Sequence, residues 1–120
     1  MTRFFTALCP ALLALSAAHA DPATITDIRA SASGDAWRFD VTVEHGDTGW
    51  DDYADGWEVR LPDGTVLGTR VLYHPHVNEQ PFTRSHTVEV PAGVTEVEVF
   101  VRESVGGWGE TAYPFTLPGS

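Results

Sequence analysis

The residues best suited to chemistry fall in two short strings. Gly49-Trp50-Asp51-Asp52-Tyr53-Ala54-Asp55-Gly56-Trp57 packs three carboxylates and three large aromatics between and beside two glycines. His74-Pro75-His76-Val77-Asn78-Glu79-Gln80-Pro81 follows some twenty residues on and holds two of the five histidines. Imidazole nitrogen with carboxylate oxygen is a donor set for zinc or copper(II). The candidate ligands are His74, His76, His45, Glu79, Asp51, Asp52 and Asp55. Calcium is the less favoured alternative: it would use Asp47, Asp51, Asp52 and Asp55 with loop carbonyls, but their spacing fits no EF-hand loop. Pro75 works against a shared imidazole site, because a polyproline-type segment splays the two rings apart.

The second chemistry is recognition by aromatic surface. Trp50, Tyr53 and Trp108, beside the polar Asn78, suit stacking on sugar rings or gripping a protein partner. The competing reading is structural, with the same rings folding back to close the end of the fold and the loops serving no ligand. In that reading Arg84 and His86 carry inward parity and need partners, since a buried charge without one is costly. Arg84 is expected to pair with Glu79 or Asp55 and so pin two loops together. Catalysis is not expected. No cysteine or lysine nucleophile is on offer after residue 20, no Gly-x-Ser-x-Gly occurs, and Ser104 has no histidine nearby in sequence.

These loops need a scaffold, and hydrophobic alternation supplies it. Trp37, Phe39, Val41 and Val43 alternate with Arg38, Asp40, Thr42 and Glu44, the two-residue period of a half-buried strand. His45 continues the inward parity. Strands are expected over residues 23–31, 37–45, 57–61, 65–72, 82–90, 94–103 and 112–117. Ile25 and Ile28 are three apart, which calls for a bulge. Tight turns at Ser33-Gly34-Asp35, Pro62-Asp63-Gly64 and Pro91-Ala92-Gly93 separate them. Seven short strands without a helix read as an all-β, single seven-stranded sandwich of immunoglobulin or fibronectin type III-like pattern. If each connection reverses direction, the minimal turns lie at one end. Loops 46–56, 73–81 and 104–109, with nearly all the chemistry, lie at the other.

Residues 1–20 read as a secretory signal peptide: Arg3, an apolar run from Phe4 to Leu15, then Ala18-His19-Ala20 before Asp21. Cys9 lies within the apolar run, outside a good lipoprotein box, so a lipid-free periplasmic or secreted product is expected. The domain is then 21–120. It carries all seventeen acids against six arginines and no lysine. That surface repels phosphate backbones, so nucleic acid is not an expected partner, and no second apolar run is long enough to span a membrane. The expected state is a monomer whose partners are a metal ion, a glycan or a protein.

The strings Gly49–Asp55, Pro62–Arg70 and His74–Ser85 resemble a family of small exported alphaproteobacterial proteins. The resemblance runs over most of the chain after residue 20, and the histidine-containing string is its most specific part. It implies export and a single domain, and it carries no activity, ligand or catalytic residue across.

Overall fold

A computed structural model describes residues 21–119; the expected signal peptide falls on residues 1–20, outside that range. Among the described residues eight strands stand where seven are expected: β1 (Thr24–Ser33), β2 (Ala36–Glu44), β3 (Ala54–Arg60), β4 (Val66–Val71), β5 (Phe82–Glu89), β6 (Glu96–Glu103), β7 (Gly107–Trp108) and β8 (Tyr113–Thr116). The additional one, β7, is a two-residue strand in the glycine-rich loop. It is too short for any periodicity to announce.

All pairings are antiparallel. One sheet runs β1-β2-β5 and the other β4-β3-β6. Both β7 and β8 pair with β6, at opposite ends of its length: Glu96–Val99 takes β8, and Arg102–Glu103 takes β7. The β1–β2 register shifts between Ile25 and Asp27, the irregularity that the Ile25/Ile28 spacing requires.

The two sheets meet through their inward faces. Phe39, Val41 and Val43 of β2 are fully buried, as are Trp57 and Val59 of β3 and Val97 and Val99 of β6. Ile25, Ala54, Leu72, Phe82, Val88, Val101 and Leu117 complete the core. The Phe39 and Phe115 rings meet edge to face at 6.3 Å, the geometry their quadrupoles favour. Side chains of this size contribute about 1.5–3 kcal/mol each on leaving water, so this face dominates the stability.

β3 departs from simple alternation because it is covered on both faces. Glu58, on the outward parity, is only 5% exposed. Its carboxylate accepts from Arg60 Nε at 2.6 Å and Thr69 Oγ1 at 3.1 Å. The Arg60 guanidinium lies over the Phe100 ring at 3.8 Å and roofs this face. A buried acid is tolerable here because it is both paired and hydrogen-bonded.

The loops 45–53, 72–81 and 104–106 gather at one end. Tyr53 N donates to Ser104 Oγ (3.0 Å) and Ser104 N to Tyr53 O (2.8 Å), tying the first loop to the third. His45 N donates to Gln80 Oε1, and Gln80 Nε2 donates to His76 O, both at 3.0 Å, tying the first to the second. Among the described residues no helix is long and apolar enough to cross a membrane.

Candidate functional site

His45 follows directly on β2 and keeps its inward parity, so its ring enters the end of the sandwich, where its side chain is fully buried. A fully buried imidazole needs partners on both nitrogens. Nδ1 faces Asp47 Oδ1 at 2.6 Å. Asp47 is equally buried and also accepts Ala54 N on Oδ1 (3.0 Å) and His76 N on Oδ2 (2.8 Å). With three donors aimed at it, Asp47 has no need of a ligand. It joins the two loops and fixes the His45 ring with the proton on Nδ1.

That leaves Nε2 among oxygens. Asp21 O lies at 3.1 Å and Asp52 Oδ1 at 3.6 Å. Asp52 Oδ1 is buried and has no hydrogen-bond partner. Glu103, buried at the end of β6, closes the third side. His45, Asp52 and Glu103 each offer a ligand atom, and all three atoms lie within 4.8 Å of one another. Glu103 is itself fixed, because Val105 N and Gly106 N donate to its carboxylate at 2.8–3.0 Å. A nitrogen lone pair surrounded by oxygen lone pairs is repulsive unless something positive lies between them. Only a proton on Nε2 or a cation can provide it.

The other histidines are arranged differently. His76 stacks on Phe82, centroids 3.9 Å apart and planes 15° from parallel. Its Nε2 faces Arg84 Nη2 at 2.9 Å. Guanidinium only donates, so Nε2 accepts and the ring is neutral. Burial, reinforced by the Arg84 charge, holds the His76 pKa below the usual histidine value. Arg84 also reaches Glu79 Oε1 at 3.2 Å. His74 is exposed, its ring 5.1 Å from that of His76 and tilted by 44°. The His76 lone pair on Nε2 is thus engaged, and Glu79 pairs with an arginine.

The sequence candidates therefore separate. His45 and Asp52 come together. His74, His76 and Glu79 form a second group around Arg84. Asp51 points to solvent, and Asp55 pairs with Arg102 at 3.2 Å. His86 lies half-buried on β5, its ring edge to face with Trp57 at 6.3 Å. Burial, then the Arg70 charge, lowers its pKa.

The aromatics separate as well. Trp50 is 67% exposed and meets Tyr53 edge to face at 5.7 Å. It lines a shallow hollow of about 620 Å³ with His74, Val77, Asn78 and Arg84. Trp108 lies elsewhere, half-buried on β7, its ring 5.5 Å from the Arg60 guanidinium. It lines a smaller cavity of about 180 Å³ together with Pro22, Ala23, Glu103 and Tyr113.

Of the buried cluster, Glu103 was not among the sequence candidates, and Asp47 was a candidate only as a calcium ligand. Glu103 continues the Val97, Val99, Val101 parity as His45 continues that of β2. A polar residue prolonging the inward row of each facing sheet was the available signal. Asp47 as the orienting carboxylate had no such signal, since it lies beyond the strand.

Comparison with known proteins finds a similarity to a protein described as "Putative lipoprotein" from Halomicrobium mukohataei. The two are 48% identical over 82 residues, which is 68% of this chain and 40% of the relative. This chain thus spans well under half of that relative's length. The relative is archaeal, whereas the expected family is alphaproteobacterial. No protein-family model matches the chain. No solved structure matches it.

Proposed function

We propose that this is an exported, non-catalytic binding domain that holds a divalent cation at the loop end of its sandwich, through His45, Asp52 and Glu103. The observation that carries the reading is the convergence of His45 Nε2 and the unpartnered Asp52 Oδ1, 3.6 Å apart, beside the buried Glu103. Two ligands of a tetrahedral zinc, each bonded at 2.0–2.2 Å, lie about 3.4 Å apart. The Asp47–His45 pair is the second component such a site needs, a carboxylate that orients the imidazole. One nitrogen with two carboxylates suits zinc or manganese better than calcium.

The strand order supports the finer fold assignment. β1-β2-β5 facing β4-β3-β6-β8 is the partition expected when the strands of a fibronectin type III-like sandwich are lettered A, B, E and C′, C, F, G. A lipoprotein is an exported protein, so the relative's name supports export; it names an anchored protein, where the leader over residues 1–20 implies a lipid-free periplasmic or secreted one.

Thermal unfolding tests the cation. The midpoint of chelator-treated protein rises with zinc in a concentration-dependent way, by about 2.7 kcal/mol of stabilisation at a hundredfold excess over Kd. Asp52→Asn diminishes the rise and His74→Ala leaves it. A rise that disappears in His74→Ala and persists in Asp52→Asn would return the site to the histidine-rich loop. A second reading rests on Trp50, whose exposure in the hollow with Val77 and Asn78 suits a glycan or protein partner. Trp50→Ala weakens such a partner and leaves the zinc response intact.

A further inference from the structure

We infer that the α-amine of Asp21, freed when the leader is removed, is a ligand of the same cation, so that export completes the site. The inference rests on the cation reading above and on the leader ending at Ala20.

Its basis is the position of Asp21 O, 3.1 Å from His45 Nε2. The side chain of His45 is fully buried, yet an otherwise exposed residue reaches it with its backbone. The register explains why. β1 and β2 pair Thr24 with Glu44, so the three residues before Thr24 run antiparallel past the end of β2, beside His45. The cluster is thereby built partly from the first residue of the domain.

An α-amine and the carbonyl oxygen of its own residue close a five-membered ring on a metal when both lie on the same side of the Cα–C bond, roughly 2.7 Å apart. Pro22 imposes that arrangement. A residue before proline is held to ψ of about +120 to +160°, which turns its carbonyl oxygen towards its own nitrogen. Proline also has no N–H, so the next backbone nitrogen cannot compete for the ion. In the uncleaved chain the same nitrogen is an amide, whose lone pair is delocalised and does not bind a metal. With the amine and the Asp21 carbonyl oxygen, His45 Nε2, Asp52 and Glu103 make a set of two nitrogens, one carbonyl oxygen and two carboxylates. Their formal charge balances that of a divalent ion, and such a set suits zinc over calcium.

Calorimetric zinc titration of two proteins decides the matter. One begins at Asp21, released by a protease that leaves no residue of its own; the other carries one extra glycine ahead of Asp21. The Asp21-start protein binds zinc at least about tenfold more tightly, because losing a direct ligand costs no less than losing an orienting partner. Asp52→Asn in the Asp21-start protein weakens binding, as expected if amine and carboxylate share one ion. Equal affinity for the two starts overturns the inference and leaves the cation site standing. No zinc binding by either overturns both. If the Asp21-start protein exceeds the extended one in thermal stability by the same margin with chelator as with zinc, the ammonium is itself the pairing cation and the inference fails. It fails too if the intact mass of the exported protein gives a first residue other than Asp21.

Discussion

Asp47→Ala removes a carboxylate that three groups depend on. His45 Nδ1, Ala54 N and His76 N all donate to it within 2.6–3.0 Å, and its side chain is fully buried. None of the three donors has an evident replacement, because water does not reach that position in the intact fold. Leaving a buried donor unpaired costs about 1–3 kcal/mol, so two orphaned backbone N–H groups alone give roughly 2–6 kcal/mol. Local relaxation that readmits water recovers part of this. A loss of about 3–5 kcal/mol is expected, which is a large share of the ~5–15 kcal/mol by which a domain is stable. For a domain of this size each kcal/mol moves the thermal midpoint by ~4–8 °C, so the midpoint falls by at least about 12 °C. Urea unfolding followed by tryptophan fluorescence measures the change directly, and the buried Trp57 makes that signal large. Asp47→Asn loses less, since its amide oxygen still accepts on one side. Exposed His74→Ala stays within about 0.5 kcal/mol of the parent. A loss under about 1 kcal/mol in Asp47→Ala would show that Asp47 does not join the loops.

Two further outcomes follow from the packing and the buried imidazoles. His76 and His86 both have folded-state pKa values below the unfolded value, chiefly because burial disfavours the charged ring. Their contribution is complete above about pH 6.5 and is lost as pH falls through the window below it, where the unfolded chain takes up protons that the folded chain resists. Urea midpoints at pH 7.5 and 5.5 therefore differ, and His86→Leu reduces the difference; a stability that rises on acidification would contradict this. At Gly68 a Cβ would approach Val88 Cγ2 to 3.0 Å and Cγ1 to 3.1 Å. Gly68→Leu forces β4 and β5 apart and costs about 1–3 kcal/mol, read from the same denaturation curves.

The scaffold was largely legible because alternation reports which face of a strand is buried. β2 and β6 show it plainly, and the β1 bulge is written in the spacing of Ile25 and Ile28. Glu58 was not legible: its burial comes from Arg60 and Phe100 closing over the outward face of β3, a tertiary event that no local pattern encodes. The start of β3 at Ala54 was hidden in the same way. It pairs with Glu103, nearly fifty residues on, inside a stretch whose glycines and aspartates read as loop. At the candidate site, His45 was visible through parity, and Glu103 was visible by the same rule had it been applied to β6. The grouping of the ligands was not visible. Residues close in sequence, Asp51, Asp52 and Asp55, have three different fates, because a tight hairpin closed by Thr48 N to Asp52 O (2.9 Å) and Asp52 N to Gly49 O (3.1 Å) sets their directions. His74 and His76 drew attention by composition, yet the Arg84 guanidinium, eight residues beyond His76, engages Nε2 of that ring and leaves only Nδ1 without a hydrogen-bond partner.

The most direct test of the central claim is a crystal of zinc-loaded protein with anomalous scattering recorded at the zinc edge. The account predicts a peak about 2.0–2.2 Å from His45 Nε2, with Asp52 and Glu103 as neighbours. A peak beside His74, or no peak at the loop end of crystals grown in excess zinc, would contradict it.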